Sequence, residues 1–284
     1  KVLASETVAL DIVDAKFIRE VKPGEIVVLS NKNELKSIFP FEKKEKKFCI
    51  FEYIYFSRPD TTHENQSVYE IRKAVGQELA RESGVAADYV CAVPDSGNAA
   101  ALGYSLYSKI PFELGVIRNH YVGRTFIEPS EKIRHLGVKL KHNANKKYLK
   151  NKKIILVDDS IVRGTTSKKI VEMVRNAGAT EVHFRVASPP TIDSCFYGVN
   201  TPTKKELIAN NSSIEKIRKF INADSLAFLS IEGLYKALGK EKNIQRFNYG
   251  YCDACFTGKY PIKLVDQINK KDINQTSYLD EKGS

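Results

Sequence analysis

No run in the chain approaches the ~20 apolar residues that a bilayer span needs, and Lys1 onward lacks the charge, apolar stretch and small-residue cleavage plan of a signal peptide. A cytoplasmic protein without membrane contact is the expectation. Neither a Gly-x-x-x-x-Gly-Lys-Ser/Thr phosphate loop nor the glycine triplet of a dinucleotide fingerprint occurs. Internal repeats, low-complexity segments and a recognisable helix-turn-helix are also missing. The 45 basic residues exceed the 34 acidic ones, giving +11, but the lysines fall in short runs such as Lys43-Lys44 and Lys46-Lys47. Aromatic interleaving that would stack bases is absent, so the excess reads as solvated surface and no nucleic-acid partner is expected. Five cysteines are an odd number for a disulfide framework, and 284 residues can bury a core without one. Metal binding or free thiols remain.

The informative stretch runs from Ile154 to Ser167. Ile154-Ile155-Leu156-Val157 reads as a parallel strand covered on both faces, and ligands of such sheets bind beyond the strands' carboxyl ends. Asp158 and Asp159 stand at that end. Ser160, Ile161, Val162, Arg163, Gly164, Thr165 and Thr166 follow as a loop with hydroxyls, a glycine for close backbone approach and inward N–H groups. A helix from Thr166 or Ser167 to Asn176 then places its positive dipole end at the loop. A phosphate fits there, and two carboxylates beside it fit ribose hydroxyls or magnesium. The competing reading makes the aspartates helix caps and the loop a tight turn.

Val157 to Ser167 resembles the phosphoribosyl-pyrophosphate signature of the type I phosphoribosyltransferases. Phe51 to Asp60, Tyr121 to Ile127 and Cys255 to Pro261 resemble, more narrowly, the glutamine phosphoribosylpyrophosphate amidotransferases, and this similarity covers nearly the whole chain. The resemblance implies an α/β fold of the type I phosphoribosyltransferase kind, a mostly parallel sheet flanked by helices. It also implies transfer of ammonia, drawn from glutamine in the complete enzyme, to C1 of phosphoribosyl pyrophosphate at the entry to purine synthesis. By the same resemblance Asp158 and Asp159 would hold ribose hydroxyls and Mg2+, Ser160 to Thr166 the 5-phosphate, and Asp95, Ser96 and Gly97 the pyrophosphate, with Ser96 near the metal. Arg118, Arg124 and Tyr121 would belong to a closing segment, Arg118 to His142, in which His120, Lys132, Arg134 and Lys139 add charge. His120 departs from the family's usual arginine, making charge there pH-dependent.

Cys252 and Cys255 form a C-x-x-C, a weak signal alone. The resemblance adds Cys49 and Cys195 as fellow ligands of a 4Fe-4S cluster, with zinc an open alternative. Cys91, in an apolar run, reads as a buried structural thiol. Purine nucleotides are the implied inhibitors, and a homo-oligomer, dimer or tetramer, the implied assembly. A nucleobase phosphoribosyltransferase and a phosphoribosyl-pyrophosphate-sensing regulator are the alternatives.

Residues 1–47 read as the end of another domain and a lysine-rich linker, with a strand at Glu25 to Leu29 after the Pro23-Gly24 turn, and the resemblance implies that this domain is an amino-terminal-nucleophile glutaminase. The nucleophilic cysteine is not in this sequence, so a carboxyl-terminal portion is expected. Residues 48–240 form the phosphoribosyltransferase domain and 241–284 a tail carrying the C-x-x-C. Within the domain Ser67 opens a helix with Val68, Ile71, Val75 and Leu79 inward. A strand ends at Val93, a helix spans Asn98 to Ser108, and Glu181 to Ala187 is a strand on which His183 is a surface or pairing residue. Ser212 to Glu215 starts a helix with Ile214, Ile217, Phe220 and Ile221 toward the core, ahead of a strand at Leu226 and a helix from Ile231.

Overall fold

Short runs of branched residues set the layout. In the computed structural model, which describes residues 1–32, 34–119, 141–199, 201, 203–240 and 250–263, helix α1 (Thr7–Asp11) and strands β1 (Ile26–Leu29) and β2 (Leu35–Ile38) come first. Next are β3 (Phe48–Cys49), a π-helical turn at Glu52–Phe56, β4 (Thr62–His63), β5 (Gln66–Ser67), α2 (Val68–Ser83), β6 (Tyr89–Ala92), α3 (Asn98–Ser108), β7 (Val116–Arg118) and β8 (His142–Ala144). Then come α4 (Lys146–Leu149), β9 (Lys153–Asp158), α5 (Thr165–Asn176), β10 (Glu181–Val186), a 3-10 turn at Lys204–Glu206, α6 (Ile208–Asn211) and α7 (Ile214–Ile221). β11 (Ser225–Phe228), α8 (Ile231–Ala237), β12 (Tyr251–Cys252) and α9 (Ala254–Thr257) complete the order.

β11, β10, β9 and β6 pair in that order, every pair parallel. Side chains alternate between the faces, so one strand feeds two cores. Ile155 and Val157 pack with Val75 and Leu79 of α2 and Tyr104 of α3, while Ile154 and Leu156 pack with Ile170 and Val174 of α5 and Ile217 of α7. Each fully buried aliphatic side chain contributes about 1.5–3 kcal/mol, and between the exposed Lys153 and the buried Asp158 β9 carries only apolar residues. This is the expected α/β arrangement, a parallel sheet flanked by helices. Ser67 caps α2 by accepting from Glu70 N at 3.4 Å, and Val68, Ile71, Val75 and Leu79 are all buried.

Four expectations need correction. Leu35–Ile38, read as linker, pairs antiparallel with β1. The cap of α7 is Ser213, which accepts from Lys216 N at 3.3 Å, and Ile214 and Phe220 are exposed while Ile217 and Ile221 are buried. His183 is buried, because β10 lies between two strands with both faces covered. It pairs through Nδ1 with Ser225 Oγ at 2.9 Å. The polar tail is partly core: β12 pairs with β3, and Tyr251 and Phe256 are buried against Tyr53 and Phe51.

The β1–β2 hairpin leaves Ile26, Val28, Leu35 and Ile38 exposed. A cavity of about 710 Å³ opens between residues 1–21, this hairpin and the π-helical turn. It lies away from the sheet's carboxyl edge.

Candidate active site

β9 delivers Asp158 and Asp159 to the carboxyl edge of the sheet, where both are buried. Asp158 Oδ1 accepts from Asp159 N at 2.9 Å, and Ser160 Oγ donates to Asp159 Oδ2 at 2.6 Å. Burial first, and then the charge of Asp159, push the Asp158 carboxyl well above its ordinary range. The two neighbouring carboxyls therefore repel one another when both are charged. A divalent cation would relieve that repulsion, and two hard oxygen donors side by side suit magnesium. Among the described residues no three His, Cys, Asp or Glu side chains gather around a single ion. Magnesium commonly takes one or two carboxylates and completes its shell with substrate and water.

Gly164 turns the loop with φ +75°, a left-handed conformation that disfavours side chains, and α5 begins at the next residue. The helix starts one or two residues earlier than expected. A Cβ at Gly164 would come within 3.0 Å of Ile208 and 3.2 Å of the Phe220 ring, so the exposed Phe220 packs on this loop rather than in the core. Thr165 and Thr166 are exposed at the helix start, with Gly164 N-capping it. Unpaired N–H groups at such a terminus are an anion cradle. Two members of the predicted loop contribute differently from the rest. Ile161 is buried in the second core, leaving only its backbone for a ligand, and Arg163 is paired with Glu206 at 2.8 Å.

The Asp95-Ser96-Gly97 loop sits beside this edge. Val93 N donates to Val157 O at 2.8 Å, and a cavity shared by Ser96 and Asp159 joins the two loops. The Pro94–Asp95 peptide is cis. Asp95 is ion-paired with Arg118 of β7. His142 of β8 meets Pro94 O through Nε2 at 3.2 Å, and burial lowers its pKa. β7 and β8 are antiparallel, with Asn119 N donating to Lys141 O at 2.7 Å. Tyr121, Arg124, His120, Lys132, Arg134 and Lys139 lie outside the described residues.

Sequence reasoning missed Arg72. It is buried beside Asp159 although it belongs to a helix remote in sequence. Its signal was a charge in the middle of the apolar stripe of α2.

The four thiols are brought together from three parts of the chain. Cys49 and Cys252 are register partners across β3 and β12, Cys255 follows in α9, and Asp193 N, two residues before Cys195, donates to Cys255 O at 3.1 Å. Burial first, then the neighbouring Cys49, Cys252 and Cys195, push the Cys255 thiol well up, and burial raises Cys49 to about 11. Among the described residues these thiols do not form a group close enough to hold a single metal ion. Cys91 is buried as expected, its thiol pushed up to about 12 by desolvation.

No family model matches the chain. Amidophosphoribosyltransferase 1, chloroplastic, of Arabidopsis thaliana is 55% identical over 265 residues, covering 93% of this chain and 46% of the relative. The amidophosphoribosyltransferase of Rhizobium etli is 50% identical over 288 residues, covering 99% and 58%. A solved structure of the Bacillus subtilis glutamine phosphoribosylpyrophosphate amidotransferase, complexed with ADP and GMP, superposes with TM-score 0.82 at 50% identity, covering 91% of this chain and 56% of that one. The chain thus spans about half the length of the curated relatives it matches. No described helix is long and apolar enough to cross a membrane. With half its residues identical and the same fold over nine-tenths of its length, this chain is similar to the amidophosphoribosyltransferases over about half of their own length.

Proposed function

We propose that this chain binds phosphoribosyl pyrophosphate at the carboxyl edge of the parallel sheet and transfers ammonia to its anomeric carbon. The products are 5-phosphoribosylamine and pyrophosphate, the first step of de novo purine biosynthesis, with glutamine as the ammonia source in the whole protein. One observation carries this reading: the buried Asp158–Asp159 pair runs directly into a left-handed Gly164 at the start of α5.

The 5-phosphate docks on the backbone N–H groups and hydroxyls of Ser160 to Thr166, aided by the α5 dipole. Asp158 and Asp159 orient the ribose hydroxyls, and Ser96, within the Asp95–Gly97 loop, faces the pyrophosphate. Arg118 supplies positive charge beside that loop. The C1–oxygen bond breaks with its electron pair leaving on pyrophosphate, the nitrogen lone pair forms the C1–N bond, and the new ammonium releases a proton to solvent to give the amine. Placement of charge does most of the work. Magnesium, which Asp158 and Asp159 would hold, would supply electrostatic stabilisation of the leaving group.

Calorimetry with phosphoribosyl pyrophosphate and Mg2+, followed by pyrophosphate release with ammonia, tests the reading. Saturable heat and ammonia-dependent release are expected. No heat sinks it, and release with an added nucleobase but not with ammonia would make the chain a salvage enzyme.

Cys49, Cys195, Cys252 and Cys255 are assigned to a 4Fe-4S cluster with a structural part only. Support comes from the motif resemblance and from Cys49, Cys252 and Cys195 all bearing electrostatically on Cys255. Anaerobically purified protein should contain iron and acid-labile sulfide in nearly equal amounts, and zinc without sulfide would replace the assignment. Purine nucleotides are the proposed inhibitors, in line with the ADP and GMP of the Bacillus complex. The assembly is a homo-oligomer and the compartment the cytoplasm. Residues 1–47 are read as the end of a glutaminase domain, 48–240 as the phosphoribosyltransferase domain and 241–284 as its tail.

A further inference from the structure

Arg72 occupies a helix position that an apolar residue would normally fill. Its side chain is 5% exposed, with Val75 and Leu79 of the same helix in the core. Nε donates to Tyr53 O at 2.8 Å, and Nη2 donates to Ser57 O at 2.7 Å and Glu52 O at 3.4 Å. These carbonyls belong to the π-helical turn and the residue that ends it. Ser57 Oγ in turn donates to Glu52 Oε2 at 2.7 Å and meets His63 Nε2 at 2.7 Å. A planar guanidinium with five donors suits such a cluster of acceptors.

Carbonyl dipoles do not neutralise a buried cation, which needs a carboxylate. Asp159, Glu6 and Glu52 all face it electrostatically. Glu6 is engaged by Arg58 N at 2.9 Å and Thr61 Oγ1 at 2.6 Å, and Glu52 accepts from Ser57. Asp159 instead shares with Arg72 a cavity of about 10 Å³, walled by Ile54, Val75 and Ala187 and also touched by Ser96. That volume holds about one water, and the three polar residues supply its partners.

We propose that Arg72 is a positioning residue for the active-site carboxylate of Asp159, joined to it through one buried water that Ser96 also faces. The guanidinium locks the Glu52–Ser57 turn on one side and restrains the carboxylate on the other. Ser160 already fixes one oxygen of Asp159 at 2.6 Å, and the water-bridged cation provides the second restraint. The motif at Phe51–Asp60 and the sugar-phosphate loops are thereby held in one register. This role rests on the phosphoribosyl-pyrophosphate reading.

The test compares the wild-type chain with Arg72→Lys, Asp159→Asn and the double variant, measuring heat of phosphoribosyl-pyrophosphate binding against Mg2+ concentration, and kcat and KM with ammonia. Lysine keeps the charge but its compact ammonium lacks the planar fork that reaches these carbonyls from both Nε and Nη2. Arg72→Lys should weaken Mg2+-dependent binding or turnover roughly 10- to 100-fold. In the Asp159→Asn background it should add less than about threefold, because both changes act through one carboxylate. Wild-type-like behaviour of Arg72→Lys, or penalties that multiply, overturns the inference. A wild-type protein that binds no phosphoribosyl pyrophosphate overturns the functional reading instead. A high-resolution crystal structure of the wild-type protein decides the geometry even if the variants do not fold. An ordered water within hydrogen-bond distance of both Arg72 and Asp159 supports the proposal, and a dry cavity refutes it.

Discussion

Asp158 shows what the site does to the stability of the fold. Its carboxyl keeps its proton above the ordinary 3.8 because it is buried beside Asp159. Between 3.8 and that raised value the folded chain binds more protons than the unfolded one, so unfolding free energy falls as pH rises through the window. The contribution is fully present below 3.8 and lost above the native value. Asp158→Asn removes the ionisable group while keeping an acceptor for Asp159 N. The ligand-free variant should be more stable by about 1 kcal/mol at pH 7, and the gain should vanish near pH 4. Melting midpoints at the two pH values check this, with loss of Mg2+-dependent substrate binding as the accompanying result. An unchanged midpoint at pH 7 would mean that the pair is not repulsive. The aspartates, Ser160 and Gly164 were legible in the sequence because strand, acid pair, loop and helix start are contiguous. Arg72 was not, because its partners at Tyr53, Ser57 and Asp159 come from elements far apart in the chain. Nor could the sequence tell that Arg163 would pair with Glu206, 43 positions away.

Among elements, α2 and α3 pack backbone against backbone at two glycines. A Cβ on Gly103 would lie 2.0 Å from Lys73 O, and one on Gly76 would lie 1.9 Å from Ala100 O, so each glycine admits the other helix's backbone. Alanine for glycine in a helix normally gains about 1 kcal/mol. Here the obstacle is backbone, which cannot swing aside, so overpacking wins. Gly103→Ala should lose about 1–3 kcal/mol, read as a lower denaturant midpoint with an unchanged slope. A stabilised variant would show that the helices can separate without loss. The helices with clean apolar periodicity were readable to within a residue or two, as with Asn98–Ser108, which matched its expected span. Elements whose pattern is short or mixed were not. Leu35–Ile38 carries a lysine between its apolar residues and read as linker, and nothing in Glu52–Phe56 announces a π-helical turn. Ile214 and Phe220 follow helical spacing, yet only Ile217 and Ile221 reach the core, because α7 is short and its outer turn packs toward the phosphate loop.

For the molecule as a whole the question is what an excess of +11 does. Much of the charge on the described surface is spent locally: Lys73 on Glu70, Lys153 on Glu181, Arg218 on Glu215 and Lys236 on Glu78. Such exposed pairs add little stability. They do break up any continuous basic stripe, and the described basic residue at the active-site edge nearest the pyrophosphate loop, Arg118, already faces Asp95. A polyanionic substrate is then drawn by a diffuse field that salt screens over a Debye length of about 8 Å at physiological strength, while loop N–H groups and buried carboxylates give the short-range affinity. Raising salt from 50 to 200 mM at constant free Mg2+ should therefore weaken phosphoribosyl-pyrophosphate binding by less than about tenfold. A regulator using its charge to grip DNA through 6–10 phosphates would lose roughly 10³–10⁵ over the same range. Parallel titrations with the sugar phosphate and with duplex DNA separate the two: shallow salt dependence for the first and no saturable complex with the second is the outcome expected of an enzyme. A tight DNA complex with a steep salt slope would instead give the basic surface a partner and remove the case for reading it as solvated lysines.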